Sequence, residues 1–255
     1  MRILFLGNNW VAWNVLEYLR GYGEDIVGLV IHPEPKQKYT RELITISGLP
    51  DDKVFDGASL REKKIVKTIK NLKPDLALSI FFDYILDKEF ISLFPCGVIN
   101  LHPAYLPFNR GQYPNVWSII EDTPSGVTLH YIDDEKIDSG DIICQERVPV
   151  EPTDTGFSLY KKLELASVNI FCNAWSEIKK GNVTRTIQSQ QGGTYHRTRD
   201  VDSIDKIDLN ALYTGKELIN IIRARTFPPY KGAYFENNGK RIYMSLHLEY
   251  ENEGL

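Results

Sequence analysis

The sequence predicts an α/β fold: a doubly wound, mainly parallel sheet, followed by a small C-terminal helix plus β-hairpin subdomain. Three observations carry this. Short apolar runs recur at 2–7, 26–31, 76–82 and 97–101, each bounded by turn residues. Segments with apolar side chains at helical spacing separate them, and that alternation builds a parallel sheet with crossover helices. After Gly181 the composition turns polar before a last helix and a hairpin pattern.

The elements follow in order. Residues 2–7 (RILFLG) are the first strand, and Asn8-Asn9 is a turn. Residues 10–19 place Trp10, Val11, Val15, Leu16 and Leu19 on one helical face. The run 26–31 is apolar throughout, as expected of a strand covered on both faces. A polar loop (33–40), a short helix (41–46) and a brief strand (53–55) come next. Residues 59–72 are amphipathic and helical, with Ile65, Ile69 and Leu72 on one side. After the strand at 76–82, residues 87–93 form a helix that Asp87 starts. The strand at 97–101 leads into a loop and a short helical segment. Strands at 127–132 and 142–150 are joined by the loop 133–141. A long helix spans 154–179, capped by Thr153 or Asp154 and followed by Gly181. Residues 182–210 read as a linker or arm. A helix at 214–224 runs into Phe227-Pro228-Pro229-Tyr230, which ends it. Asn237-Asn238-Gly239 then turns a hairpin between 234 and 248. The domain expectation is a catalytic domain over 1–181 and a linker, helix and hairpin over 182–255.

Composition narrows the class. The chain has 255 residues, 42% hydrophobic and 25% charged, enough for one large domain with an appendage. No apolar run approaches the roughly 18 residues of a membrane span. MRILFLGNNW goes straight into a strand and lacks the apolar segment and cleavage site of a signal peptide. Cys96, Cys144 and Cys172 stand far apart, without CxxC and inside apolar runs. Buried free thiols and a cytoplasmic location are expected. The net charge of −4, a pI of about 5.8 and the lack of a basic tract argue against nucleic-acid contact.

Chemistry concentrates in 97–143. The strand delivers Asn100 and His102 two apart, on one face and at a strand end, where ligands bind in such sheets. The stretch closes on Asp138 in an Asp-Ser-Gly-Asp turn. An imidazole can accept a proton near neutral pH, a carboxylate can hold its charged form, and an amide can donate to a developing oxyanion. Together they suit attack on a carbonyl through a tetrahedral intermediate. With no Ser or Cys nucleophile evident, the class is direct acyl transfer or hydrolysis. Each residue also has an ordinary reading: Asn as a turn residue, His as a satisfied core group, Asp-Ser-Gly as a turn. His102, His130 and Asp138 as metal ligands lack the spacing such sites show, so no metal is expected.

The motif series N-L-H-P, L-P, R-G, S-G-V-T and I-D-S-G-D-I-I resembles the folate-dependent formyltransferases, over about the first 180 residues and most densely from 97 to 150. The resemblance puts the family's catalytic residues on Asn100, His102 and Asp138. It implies N10-formyltetrahydrofolate as formyl donor and an amine as acceptor. The amine attacks the formyl carbon, Asn100 stabilises the oxyanion, His102 takes the amine proton, and Asp138 orients and charges His102. It also implies that the pterin is held by backbone groups at Tyr84, Ile85 and Leu86, and at Asp133, Asp134, Glu135 and Lys136; ordinary loop residues are the alternative.

The branch of the family sets the acceptor. Asn8-Asn9-Trp10 replaces the glycine-rich phosphate loop of glycinamide ribonucleotide transformylase. The acidic chain lacks the basic C-terminal domain of methionyl-tRNA formyltransferase and ends short of it. P-A-Y-L-P-F-N-R-G-Q-Y-P-N-V-W-S, T-F-P-P-Y and G-A-Y-F look like the sugar N-formyltransferases. That branch implies a nucleotide-linked amino sugar, with dTDP-4-amino-4,6-dideoxyglucose ahead of GDP- or UDP-linked sugars, for a surface glycan such as O-antigen. It also implies a homodimer. A formyltetrahydrofolate hydrolase is the competing class. Asn9, Trp10, Arg110 and Tyr113 are candidates to face the sugar or its diphosphate. Arg110 equally suits a carboxylate bracing its loop, and Trp10 a hydrophobic cap. Phe227 and Tyr230 could stack on the base or form a turn packed on the core.

Overall fold

Seven strand segments assemble into a single sheet, and the inner ones are apolar and buried, as strands covered on both faces must be. The computed structural model describes residues 1–134, 136–189 and 192–251. In chain order the elements are β1 (Arg2–Gly7), α1 (Asn9–Gly21), β2 (Asp25–Ile31), α2 (Thr40–Ser47), β3 (Val54–Asp56), α3 (Lys63–Asn71), β4 (Leu76–Ile80), α4 (Lys88–Ile91), β5 (Val98–His102), β6 (Arg110–Gly111) and α5 (Pro114–Ile120). They continue with β7 (Gly126–Tyr131), β8 (Ile142–Arg147), α6 (Gly156–Lys180), β9 (Tyr195–His196), α7 (Asp202–Asp205), α8 (Gly215–Ala224), β10 (Tyr234–Asn237) and β11 (Lys240–Tyr243).

The sheet order is β3-β2-β1-β4-β5-β7-β8. The first four pairings are parallel, and β7 runs antiparallel to β5. The α/β, mainly parallel expectation holds, as does the C-terminal helix and hairpin. Leu4, Leu6, Val30, Phe55, Ile69, Ala77 and Phe90 form a buried cluster. Phe171 and Trp175 of α6 stack at 5.5 Å, and Trp175 Nε1 donates to the buried Glu24 carboxylate. That carboxylate also meets Lys179 at 2.7 Å, so the buried charge is paired.

Packing divides the chain into two units. One holds Met1–His102, Val127–Glu146 and Glu164–Ser189; the other holds Pro103–Gly126, Arg147–Leu163 and Gln190–Leu255. In the second, Ile207, Ile222 and Ala233 form a core with Leu218, Ile221, Met244 and Leu246. A spatial grouping of this kind differs from a single cut at 181.

Local chemistry moves several boundaries. Residues 57–59 form a 3₁₀ turn, so the helix expected from 59 begins only at Lys63. β8 stops at Arg147 rather than at 150. Thr155, not Thr153 or Asp154, caps α6: Ser158 N–H donates to Thr155 Oγ1 while Thr155 N–H donates to Ser158 Oγ. Asp154 instead accepts from Ser158 Oγ and pairs with Lys162. The arm is not structureless, since it carries β9, α7 and the buried Val201 and Ile207. Asp87 caps α4 as expected, accepting from Phe90 N–H at 2.8 Å. The hairpin turns at Asn238 and Gly239, both with positive φ, as a two-residue turn of matching twist requires. The thiols depart from expectation: Cys96 is exposed, and Cys144 and Cys172 are only partly buried. Cys96 sits in the turn that enters β5, where its neighbours do not cover it.

Candidate active site

β5 reads V-I-N-L-H, and Asn100 is the half-exposed residue between buried neighbours. The antiparallel register sets His130 of β7 opposite Asn100, and Thr128 opposite His102. Asp138 arrives from the loop between β7 and β8. Asn100 Nδ2 lies 3.0 Å from His130 Nε2 and donates to Asp138 Oδ1 at 3.2 Å. Asp138 Oδ2 stands 3.5 Å from His102 Nε2, and Oδ1 is 3.5 Å from His130 Nε2. His102 and Asp138 are almost buried, with side chains 8% and 11% exposed.

The donors and acceptors fix one tautomer. His130 Nδ1 is 2.8 Å from the Tyr131 carbonyl, which can only accept, so Nδ1 carries the hydrogen. Nε2 then accepts from Asn100. Asn100 therefore has both amide hydrogens engaged, one on each neighbour.

The loop that carries Asp138 is held at both ends. Ile132 N–H donates to Val98 O at 2.8 Å, and Tyr131 N–H to Asp141 O at 2.9 Å. Asp138 has φ 50°, a left-handed conformation that Asp tolerates better than most residues. A Cβ on Gly140 would come within 1.9 Å of Tyr131 O, so only glycine fits there. Arg185 binds Asp133 and Asp141 and lies 4.0 Å over the Tyr131 ring. Burial pushes the Tyr131 phenol above its ordinary range, more than Arg185 pulls it down. Gln188 Nε2 donates to the carbonyls of Asp138 and Gly140.

Among the expected site residues, Asn100, His102 and Asp138 come together. Tyr84, Ile85 and Leu86 follow β4, the strand next to β5. Ile85 is 50% exposed, and the Leu86 side chain belongs to the core. Tyr84 packs against Phe82 and the buried His32. Burial holds the His32 imidazole below its ordinary value, with Asp83 opposing. Asp134 Oδ1 accepts from Lys136 N–H, a local turn, and Asp133 braces Arg185. Glu135 lies outside the described residues. Asn9 Oδ1 accepts from Val11 and Ala12 N–H, so it caps α1, with Trp10 half-buried beside it. Arg110, Tyr113, Phe227 and Tyr230 belong to the second unit. There the Arg110 backbone pairs with β9, and Tyr113 precedes α5 with φ 57°. Phe227 packs edge-on to Phe157 and Tyr160, next to the exposed Tyr230.

Residues 1–175 match the Formyl transferase family, more than half of the chain. The chain belongs to that family. Residues 200–250 match a second family, described as the N-formyltransferase dimerization C-terminal domain. A methionyl-tRNA formyltransferase of Alkaliphilus oremlandii is 29% identical over 98% of this chain and 82% of its own length. A solved 4-N formyltransferase from Francisella tularensis is 29% identical with a TM-score of 0.82, covering 98% of both chains. A formyltransferase from Anoxybacillus kamchatkensis, solved with UDP-4,6-dideoxy-4-formamido-L-AltNAc and tetrahydrofolate, is 28% identical with a TM-score of 0.60. It covers 85% of this chain and 94% of its own. The resemblance read from the motif series is therefore correct at the level of family and fold, and this formyltransferase is an enzyme. Among the described residues, no helix is long and apolar enough to cross a membrane.

Two residues at the site escaped sequence reading. His130 was visible only as a possible metal ligand, because its partner Asn100 is set by strand register. Gln188 sits in a polar stretch with no motif around it.

Proposed function

We propose that this formyltransferase moves a formyl group from N10-formyltetrahydrofolate to the amino group of a nucleotide-linked amino-dideoxy sugar. dTDP-4-amino-4,6-dideoxyglucose is the first candidate, for a surface polysaccharide such as O-antigen. The observation that carries the sugar over other acceptors is the likeness, over 85% of this chain, to the Anoxybacillus formyltransferase solved with a nucleotide-linked formamido sugar. The ligands of the Anoxybacillus neighbour, a UDP-linked formamido sugar and tetrahydrofolate, support donor and acceptor class together. A methionyl-tRNA acceptor has the curated sequence relatives in its favour. Against it stand the acidic balance and the lack of Lys/Arg clusters that phosphate-backbone binding needs.

The residues present fit the donor. Ile85 offers an exposed apolar side chain after β4, beside the strand that carries Asn100 and His102, which suits a flat aromatic ring. The backbone of Tyr84 to Leu86, with Asp133, Asp134 and Lys136, would hold it. When bound, the donor supplies an activated formyl carbon. Asn100 Nδ2 would donate to the formyl oxygen as negative charge develops there. His102 would take the proton of the attacking amine and return it to the folate N10 as the bond from the formyl carbon to N10 breaks, so that the acceptor keeps the formyl group and tetrahydrofolate leaves. The imidazolium so formed presents Nε2–H toward Asp138 Oδ2, which holds its charge. Phe227 and Tyr230 stack on the nucleotide base. The hairpin, with Ile242 and Tyr243 about two-fifths exposed, joins a second copy in a homodimer.

The test is a panel of dTDP-, GDP- and UDP-linked amino sugars and methionyl-tRNA, each with N10-formyltetrahydrofolate and read by mass gain of one formyl group. Formylation of an amino sugar is expected. Formylation of methionyl-tRNA alone, or formate release without any amine, would overturn the assignment.

A further inference from the structure

We propose that Gln188 is a positioning residue: it clamps the turn that aims the Asp138 carboxylate. The inference rests on the formyl-transfer reading of Asn100, His102 and Asp138. Gln188 is 6% exposed, and its side-chain Nε2 donates to Asp138 O at 2.9 Å and Gly140 O at 2.7 Å. A primary amide has two N–H donors, and here they go to two carbonyls of one tight turn. That turn holds Asp138 in the left-handed region, and the same conformation brings Oδ1 to Asn100 and Oδ2 to His102.

Gln188 does not act from a loose segment. Thr186 exchanges both backbone hydrogen bonds with Ile142, at 2.8 and 2.9 Å, so the chain runs alongside the start of β8. One residue before Thr186, Arg185 grips Asp141 at 3.0 Å, pairs with Asp133 and covers Tyr131. The segment 185–188 thus ties down both ends of the loop and its apex. Gln is the suitable side chain at the apex. A carboxylate would face two carbonyl oxygens with no hydrogen to give, and an apolar group would take both of these hydrogen bonds away. A displacement of the turn moves the carboxylate away from both partners, and misplacing a reacting group by about 1 Å can cost about 100-fold in rate.

The test combines Gln188→Met, which keeps the volume and removes both donors, with Asp138→Asn in a double-mutant cycle. In the otherwise native chain, Gln188→Met is expected to lower kcat by about 10- to 100-fold. KM for donor and acceptor stays within about twofold, since the substituted group touches neither. In the Asp138→Asn background the same change is expected to cost less than about threefold, because there is no carboxylate charge left to aim. General structural damage would multiply through both backgrounds, and that result overturns the proposal. So does an unchanged kcat in Gln188→Met. Near-native turnover of Asp138→Asn alone would overturn the underlying catalytic reading instead. Should Gln188→Met fail to fold, Arg185→Met, at the half-exposed end of the strap, gives the same comparison. A kcat loss that vanishes in the Asp138→Asn background supports the clamp, and any other pattern opposes it.

Discussion

Asp138→Asn isolates the charge of the site from its shape. Asn has the same heavy-atom outline, its Oδ1 can still accept from Asn100, and the turn at φ 50° suits Asn as well as Asp. What disappears is a unit charge 3.5 Å from His102 Nε2. With both side chains nearly buried and an effective dielectric constant of ~20, that charge stabilises an imidazolium by ~5 kcal/mol. Converted to rate, this is roughly three to four decades. The replacement Nδ2 also faces the imidazole as a donor and competes for its lone pair, which pushes in the same direction. Steady-state formylation of the amino sugar at saturating donor, read by mass spectrometry, should show kcat down at least about 1,000-fold with KM little changed. A thermal melt alongside excludes unfolding. A loss below tenfold in a variant that melts like the native protein would refute the placement of Asp138 as the carboxylate that charges His102.

Two further expectations concern groups away from the reaction. Cys96 is exposed, whereas burial pushes the Cys144 thiol up to about 11 and raises that of Cys172. Iodoacetamide at about pH 8 should therefore alkylate Cys96 in the native protein, and the other two only after denaturation. Peptide mapping that finds Cys144 modified as fast as Cys96 would contradict this. His32 is fully buried, and burial holds its imidazole below the ordinary 6.5. As pH falls through about 6.5 the unfolded chain takes up a proton that the folded chain refuses, so stability declines below that point. The melting temperature should fall between about pH 7.5 and 5.5, and His32→Gln should flatten that dependence. An identical slope in the variant would place the titration elsewhere.

The sheet was legible because its parallel inner strands are dense apolar runs with turn residues at their ends, and burial on both faces demands that pattern. Asn100, His102 and Asp138 were legible for a different reason: they lie within forty residues, and the turn chemistry around Asp138 is local. His130 was not, because its place opposite Asn100 depends on the pairing of β5 with β7, and register is a property of two segments. The α6 cap was misplaced because Thr153, Asp154 and Thr155 are all cap-forming residues. Only the reciprocal bonds with Ser158 choose among them. The arm after Gly181 looked like a linker because its contacts are distant in sequence. Thr194 Oγ1 accepts from Asn109 N–H, and Lys206 bridges to Tyr234.

The hydrogen bonds of Asn100 set the timing of the proposed reaction. Asn100 holds His130 at 3.0 Å and Asp138 at 3.2 Å, so it has no idle hydrogen for a formyl oxygen. To donate there it must release one partner. His130 is a fixed acceptor, its tautomer locked by the Tyr131 carbonyl. Asp138 is the longer contact, and its carboxylate also faces His102. Negative charge on the formyl oxygen and positive charge on His102 arise in the same step, as the amine gives up its proton. Handing the Asn100 hydrogen from Asp138 to the oxygen serves both. The oxygen gains a donor, and Asp138 Oδ1 is freed of the bond that drew on its charge. The two acceptors are both anionic, so the exchange is between bonds of similar strength, each about 1.5–3 kcal/mol. A small free-energy difference between the two arrangements lets Asn100 wait without being locked. It also explains why the carboxylate must be aimed at two partners at once, which a turn held only by its own backbone would not ensure.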